Sequence, residues 1–341
     1  MVTIADVAKA AGVSNSTVSY VLSGKRPISP PTRERVEQSI KDLGYRPHAG
    51  ARALASQRTN VIGLVVPLRD DIVVPVIMQF VTAIVTAARD YDFDVLMLTK
   101  EEGATGIDRV CASAMVDALI VMDVENHDER VPILAHCGRP VVLIGWPEED
   151  HGLPCIDLDF AAAGRAAVDH LADLGHHDIA MVGSPAAVYE RRTSFALRLL
   201  DGVNAQAQAR GVRVVASPCE PTYRGVARCV DEIMRTLPGF TGVFVHNELA
   251  VTPLMSVLRQ RGLRVPDDLS LVAMGPPDLT AGQQVPLTML EIPAQQVGVQ
   301  AVDMLMTMLA GSQPLPHRLL QPTLVRRQTT GRRPSYGDHQ S

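Results

Sequence analysis

The chain has 341 residues, of which 46% are hydrophobic and 20% charged, and its formal net charge is −5. This composition is typical of a globular protein of about two or three domains, and it excludes a disordered or collagen-like chain. The charge is uneven, because the first 60 residues hold nine Lys and Arg against four acids. A small basic head followed by a large acidic body predicts that the head meets a polyanion.

Cysteine usage and the N-terminus indicate the compartment. The five cysteines, at positions 111, 137, 155, 219 and 229, form no C-x-x-C pair. Their odd number and spacing favour neither a zinc ribbon nor a disulfide framework, so we expect reduced thiols. The start, MVTIADVAKA, lacks the layout of a secretory signal and predicts a cytoplasmic protein. The nearest approach to a membrane span, 72–88, is only 17 residues long and contains Pro75, which favours a buried helix or a subunit interface.

The head predicts three short helices. Thr3 and Asp6 form a capping box before the first, Gly12 can end it, and Ser14 can cap the second. A third helix begins near Pro30, where a first-turn proline is favoured. Two helices that meet across a tight turn are typical of the helix-turn-helix motif, whose second helix enters the major groove of DNA.

Outward residues of the second helix predict the DNA contacts. Asn15, Ser16 and Tyr20 face outward, and an Asn side chain can bind adenine bidentately. Side chains suited to phosphates are Thr3, Thr17, Lys25, Arg26 and Arg33. Any three-helix bundle with a glycine turn shows similar spacing, so the basic charge of the head is what favours DNA.

Several motifs of the head resemble those of LacI/GalR transcriptional regulators. They are Thr3-Ile4-x-Asp6-Val7-Ala8, Ala11-Gly12-Val13-Ser14, Thr17-Val18-Ser19, Thr32-Arg33-x-x-Val36 and Gly44-Tyr45-x-Pro47. The resemblance implies a sequence-specific DNA-binding regulator, a repressor that binds a palindromic operator as a homodimer and is associated with the nucleoid when bound. It also implies a hinge helix containing Ala51, Arg52 and Leu54, with Leu54 wedged into the minor groove. An ordinary linker helix, with Leu54 packed against the body, is the alternative.

From residue 60 short β-branched runs alternate with helical stretches. The runs predict buried strands of parallel type over 61–66, 94–99, 118–123 and 140–145, then over 179–183, 212–217, 242–246 and 269–274. Two sets of four predict an α/β body of two doubly wound parallel-sheet lobes, with a ligand outside the carboxyl ends of the strands and between the lobes. The family resemblance extends to about residue 330 through stretches such as Leu174-Gly175-His176 and Val265-Pro266-Asp267-Asp268-Leu269-Ser270. It implies a body of periplasmic-binding-protein type.

We therefore expect four segments. They are a helix-turn-helix headpiece over 1–46, a hinge over 47–59, an effector-binding and dimerisation body over 60–330, and a disordered tail over 331–341. The tail lacks a leucine heptad, so a dimer is expected rather than a coiled-coil tetramer. Apolar residues on the 75–91 helix are candidate dimer contacts, and a core-facing helix is an equal alternative. These residues are Met78, Thr82, Ile84 and Val85.

The resemblance weakens where a small-molecule effector would be held. Leu199 stands at a spacing where the family often has Arg, His246-Asn247 replaces Asn-Asp, and Ala273-Met274-Gly275 replaces Gly-Phe-Asp. A cleft is still implied, for a sugar-like effector or one of unknown class. Aromatic faces with a few polar groups predict its contacts as Trp146, Phe160, Tyr189, Arg192, Arg198, Tyr223 and Asn247. Simple packing remains an alternative for Trp146 and Phe160, and Arg191-Arg192 can equally be a solvated pair.

An enzyme is the competing class. The sequence contains no phosphate-loop, dinucleotide, zincin or nucleophile-elbow motif. The pairs Asp157-x-Asp159 and Asp267-Asp268 coincide with turns where Asp serves as a cap, and His176 and His177 lack a third ligand at zinc spacing. We expect no catalytic residue, metal or cofactor. An exported sugar-binding protein, or an enzyme of the same two-lobed fold, fits the body alone but leaves the basic head unexplained.

Overall fold

The computed structural model describes residues 2–23, 26–45, 58–69, 73–100, 103–113, 115–280, 285–312 and 317–334. The chain divides into two compact units. The first, Met1–Val61 with Ser113–Asp117, contains the head, and the second, Ile62–Ala112 with Ala118–Ser341, contains the body.

The head contains three helices, α1 (Ile4–Ala11), α2 (Asn15–Ser23) and α3 (Pro30–Leu43). The predicted capping box is present, because Thr3 accepts the Asp6 N–H and the Asp6 carboxylate accepts the Thr3 N–H at 2.8 Å. The helices share a core of Val7, Ala8, Ala11, Val18, Val36 and Tyr45. Helical spacing predicts that Leu22 and Leu43 point into this core. Instead, each is 36% exposed at the edge of the core. The fully buried valines already fill the small space between three short helices.

The body alternates strands and helices. Its strands are β1 (Val61–Val65), β2 (Asp94–Leu98), β3 (Ala118–Val121), β4 (Val141–Ile144), β5 (Cys155–Leu158), β6 (Asp178–Val182), β7 (Arg213–Ser217), β8 (Gly242–Val245), β9 (Ser270–Gly275), β10 (Thr288–Glu291), β11 (His317–Leu320) and β12 (Thr323–Val325). Its α-helices are α4 (Val74–Arg89), α5 (Ala104–Ala112), α6 (Arg130–Ala135), α7 (Phe160–Asp173), α8 (Ala186–Glu190), α9 (Ser194–Arg210), α10 (Tyr223–Thr236), α11 (Val251–Gln260) and α12 (Ala294–Leu309). All eight predicted strands are present.

The strands form two six-stranded sheets, one in each lobe. The first has the order β11-β5-β4-β3-β1-β2 and the second β12-β10-β9-β8-β6-β7. The strand pairs are parallel, for example β1 with β3 and β6 with β8, whereas β12 runs antiparallel to β10. The chain passes between the lobes after β5, after β10 and after β11. This confirms the predicted architecture of two doubly wound parallel-sheet lobes.

Helices α7 and α9 pack closely in the second lobe. Gly202 of α9 faces the backbone of α7, where an added Cβ would lie 2.7 Å from the carbonyl carbon of Ala161. Gly164 of α7 likewise faces α9, where an added Cβ would lie 2.8 Å from the backbone nitrogen of Val203. Two glycines therefore bring the helix axes together over the core of this lobe.

The expectation of reduced thiols is wrong for one pair of cysteines. Cys111 at the end of α5 and Cys137 just after α6 form a disulfide, with their Cα atoms 5.2 Å apart. They are 26 residues apart in sequence, and it is the packing of the two helices that brings them together. Cys155, Cys219 and Cys229 are free and buried.

Helix α4 has one buried face and one exposed face. Ile84 is fully buried and Val85 packs against the core of the first lobe. These two residues agree with the alternative prediction that this helix faces the core. Met78 and Thr82 are exposed, so a dimer contact through them stays a prediction. Within the described ranges, no helix combines the length and hydropathy needed to cross a bilayer.

The chain stays in contact with the body beyond residue 330. The Gly331 carbonyl accepts a hydrogen bond from Ser270 Oγ at 3.0 Å, and the Arg333 N–H donates to the Leu174 carbonyl at 2.9 Å. The first residues of the segment predicted to be a disordered tail are therefore packed. Residues 335–341 lie outside the described residues.

Candidate functional site

The exposed start of α2 forms the candidate DNA-reading surface. Ser14 Oγ accepts the Thr17 N–H at 3.2 Å, as a cap does, and also bonds to the hydroxyls of Ser16 and Thr17 at 2.8 and 2.9 Å. Asn15 is exposed, and its side-chain amide makes no hydrogen bond to any residue in the described part of the chain. The hydroxyls are therefore held in place by Ser14, while the Asn15 amide is available to a base edge.

The other predicted head contacts surround this surface. The Arg26 guanidinium lies 5.1 Å from the centre of the half-buried Tyr20 ring, in cation–π geometry. Arg33 is exposed on the first turn of α3, and Thr3 caps α1. Lys25, Ala51, Arg52 and Leu54 lie outside the described residues. A contact with DNA stays a prediction for every one of these side chains.

A carboxylate fixes the chain where the linker joins β1. Asp117 accepts hydrogen bonds from the Thr59 N–H at 2.8 Å, the Thr59 hydroxyl at 2.9 Å and the Asn60 N–H at 2.8 Å. Asn60 has a φ of 54°, in the left-handed region that Asn tolerates better than most residues. Asp117 therefore fixes the backbone of Thr59 and Asn60, the two residues directly before β1.

A cavity of about 140 Å³ lies between the two sheets of the body. Residues just after β3, β4, β6 and β8 line it, among them Asp123, Gly145, Ser184 and Asn247. This is the position predicted for a ligand, outside the carboxyl ends of parallel strands. Most of the wall is apolar, with Val76, Ile77, Phe80, Ile144, Phe160, Val188, Phe195 and Ile292.

The arginines around the cavity are each paired with a carboxylate. The pairs are Arg198 with Asp157, Arg69 with Asp123, and Arg191 with Glu125. Burial raises the pKa of Asp157 to about 6, although Arg198 beside it acts in the opposite direction. The Arg198 guanidinium also lies 5.5 Å from the centre of the Phe160 ring, which places it behind the cavity wall.

Three consecutive residues after β8 supply the remaining polar groups. His246 is 3% exposed, and burial lowers its pKa to about 4, so the ring is neutral at physiological pH. Asn247 donates from Nδ2 to the Cys219 carbonyl at 2.8 Å, and its buried Oδ1 has no partner within the described ranges. Burial raises the pKa of Glu248 to about 7.

The predicted effector residues divide into those at the cavity and those away from it. Phe160 and Asn247 line the cavity, and Arg198 contacts it through its partner Asp157. Tyr189 lies one step behind, since its hydroxyl accepts the N–H of the lining residue Ser184 at 3.2 Å.

Three predicted effector residues lie off the cavity lining. The centres of the Trp146 and His317 rings lie 4.6 Å apart. The backbone carbonyl of Trp146 accepts a hydrogen bond from the Ser194 hydroxyl. Arg192 is exposed, and Tyr223 is 48% exposed with its hydroxyl bonded to Gln260. As effector contacts, all seven residues remain predictions.

Sequence reasoning did not single out Phe195 or Glu248, both of which line the cavity. Glu248 follows the His246-Asn247 pair directly, so its place after a predicted buried strand was the available signal. Phe195 lies in the first turn of α9 and contacts Phe160 with ring centres 5.4 Å apart. No sequence pattern marks that contact.

The acidic pairs that suggested catalysis have structural partners. Asp159 caps α7 by accepting the Ala162 N–H at 2.8 Å, and Asp268 accepts from Arg264 Nε at 2.9 Å. His176 is buried and bonds to the hydroxyls of Thr241 and Ser270, each at 2.9 Å. In the segments that the structure describes, no group of three or more His, Cys, Asp or Glu could hold a metal.

Two family profiles match the chain. Residues 3–48 match the family described as "Bacterial regulatory proteins, lacI family", and residues 168–330 match the "Periplasmic binding protein-like domain". The HTH-type transcriptional repressor PurR of Vibrio cholerae is 30% identical over 318 residues, covering 90% of this chain and 91% of that protein. The regulator CelR of Thermobifida fusca is 28% identical over 335 residues, covering 94% and 96%.

Solved structures agree with these matches. The lac repressor dimer, bound to operator and an anti-inducer, superposes with a TM-score of 0.83 at 25% identity and covers 97% of this chain and 99% of that one. A CelR–cellobiose complex gives a TM-score of 0.68 at 26% identity and covers 96% and 100%. The helix-turn-helix head, the two-lobed body and these relatives lead to one assignment: the chain belongs to the LacI family of bacterial transcriptional regulators.

Proposed function

We propose that this chain is a repressor that binds a two-fold symmetric operator as a homodimer, with its operator affinity set by a small molecule in the cavity of the body. The observation that carries the proposal is the exposed start of α2, where Ser14 organises two hydroxyls beside the amide of Asn15, which bonds to no described residue. Such a surface presents directed donors and acceptors to a major groove.

Two relatives support the assembly and the ligand. The lac repressor was solved as a dimer on its operator, and CelR was solved with cellobiose. By analogy, two heads related by a two-fold axis read two halves of a palindrome. A regulator of this kind acts at the bacterial chromosome. We propose no catalytic role, because Asp159 and Asp268 already serve as a helix cap and an ion-pair partner.

The test is selection of bound sequences from random duplex DNA by the full chain, followed by titration across salt concentrations. We expect a palindrome and a steep fall in affinity with salt, since each neutralised phosphate releases counterions. Asn15→Ala should relax the choice of base at one symmetric pair of positions, while Glu37→Gln, on the exposed side of α3, is the control. Recovery of no motif, with weak binding of every sequence, would contradict the proposal.

A further inference from the structure

Two lining residues carry a buried polar atom with no hydrogen-bond partner among the described residues: Arg191 Nε, a donor that faces the Glu125 carboxylate at 3.9 Å, and Asn247 Oδ1, an acceptor with no cation beside it. The orientation of the Asn247 amide is set by the Cys219 carbonyl, which can only accept and therefore faces Nδ2, at 2.8 Å. Oδ1 is consequently the free end of a side chain that is only 2% exposed, and it has no partner among the described residues. A buried acceptor without a donor is costly, so a ligand that donates a hydrogen bond here is favoured.

Among the acidic residues at the cavity, Glu248 is the one without a cationic partner in the described part of the chain. Arg198, Arg69 and Arg191 are each paired with an acid, so their guanidinium charges are already balanced. Glu248 lines the cavity and forms no ion pair within the described ranges. The neighbouring His246 adds no positive charge, because burial lowers the pKa of its ring to about 4. Above the pKa of about 7 of Glu248, its carboxylate is therefore a negative charge that favours a cation over an anion in the cavity.

The rest of the wall limits how many polar groups a ligand can carry. Branched aliphatic side chains and the rings of Phe160 and Phe195 face the cavity. A molecule with a hydroxyl on every carbon would bury several of those hydroxyls against hydrocarbon, at a cost of roughly 1–3 kcal/mol each. The volume of about 140 Å³ suits one small ring, since a dry apolar cavity of about 150 Å³ binds benzene.

We infer that the cavity takes a compact, mainly apolar amine, whose ammonium group donates to Asn247 Oδ1 and pairs with Glu248 while its hydrocarbon body lies against Phe160 and Phe195. This inference rests on the proposed function, because it names the ligand class of the same regulatory cavity. It differs from a sugar ligand in requiring one cationic donor and an apolar body in place of many hydroxyls.

The test is calorimetric titration of the full chain with four probes, benzylamine, benzyl alcohol, benzoate and glucose. The buffer is set at about pH 8, above the pKa of about 7 of Glu248, so that this carboxylate is ionised. We expect benzylamine to bind about tenfold tighter than benzyl alcohol, because a charge-assisted hydrogen bond replaces a neutral one. Benzoate and glucose should bind more weakly than benzyl alcohol.

Two variants locate the amine. Glu248→Gln keeps the shape of the side chain but removes its charge, and should bring benzylamine down to the affinity of benzyl alcohol. Glu149→Gln makes the same change at a glutamate whose side chain is 82% exposed, and should leave both affinities unchanged. Equal loss in both variants would overturn the assignment of the ammonium to Glu248.

The parallel readout is operator binding by the same preparation. If the chain binds its operator but prefers glucose or benzoate to benzylamine, or binds none of the probes, the amine inference is overturned and the proposed function stands. If it selects no operator and binds no probe, both fail. Benzylamine binding that depends on Glu248 supports the inference whatever the operator result.

Discussion

The partly buried carboxyl group of Glu248 predicts a pH-dependent gain in stability for Glu248→Gln. Burial raises the pKa of this side chain from 4.5 to about 7, while its own backbone N–H acts weakly in the opposite direction. A raised carboxyl pKa means that the folded state holds its proton more tightly than the unfolded state does. The native protein therefore loses stability as the pH rises from the pKa of the unfolded state to that of the folded state. The Glu248→Gln variant has no ionisable group at this position and does not lose stability in this way.

The size of the effect follows from the shift. At about 1.4 kcal/mol per pKa unit, the full shift is worth roughly 3 kcal/mol above both pKa values. Glu248 is partly exposed, so solvent screens part of this, and we expect the variant to gain about 1–3 kcal/mol at about pH 8.5 and under 1 kcal/mol at about pH 5.

Urea unfolding followed by fluorescence of Trp146, the single tryptophan, reports on the body directly. Glu149→Gln, at an exposed glutamate, should show no difference between the two pH values. A gain for Glu248→Gln that is equal at both pH values, or larger in acid, would refute the reasoning. It would mean that the Glu248 carboxylate is solvated in the folded state, and that its pKa is close to that of a free glutamate.

Three further outcomes are expected. Leu54→Ala should weaken specific operator binding in a gel-shift assay without changing the melting temperature, and an unchanged affinity would remove its role as a wedge. Asn15→Ala should cost about 1–3 kcal/mol at one base-pair position, measured by competition, whereas a uniform loss would mean that it contacts only phosphates. Gly202→Ala should destabilise the body by about 1–3 kcal/mol in urea, because its Cβ would collide with Ala161. The neighbouring exposed substitution Asp201→Ala is its control, and equal effects would show that α7 and α9 can separate.

The strands that the sequence predicts share one property. Each contains an apolar run, such as ALIV in β3 or GVFV in β8, and in these two strands every residue is buried. The four strands it misses are short or polar, with the sequences CIDL, TMLE, HRLL and TLV. These become strands because distant segments pair with them, as β11 does with β5. The spacing of hydrophobic residues within one segment does not show which distant segment will pair with it.

The site shows a similar division. The rule that ligands bind at the carboxyl ends of parallel strands indicates which segments line the cavity, and it places Asn247 there correctly. It does not say which side chains of a segment point inward, so Arg192 is exposed while its neighbour Arg191 lines the cavity. Tyr223 is an aromatic residue on a helix start, yet it lies at the surface. The disulfide between Cys111 and Cys137 likewise depends on packing between helices.

Both lobes of the body contribute residues to the cavity, so a bound ligand can affect how the lobes are arranged. Ile144 and Gly145 belong to the first lobe, whereas Asn247 and Glu248 belong to the second, and each lobe has its own core. A ligand changes the balance between two arrangements of the lobes only by its difference in affinity for them. A small ring that touches one wall alone would bind without regulating. An amine that pairs with Glu248, with one side of its body against Phe160 and Phe195 and the other side against Ile144, would bind best when the two walls face each other as they do here, and so couples occupancy to the arrangement of the lobes.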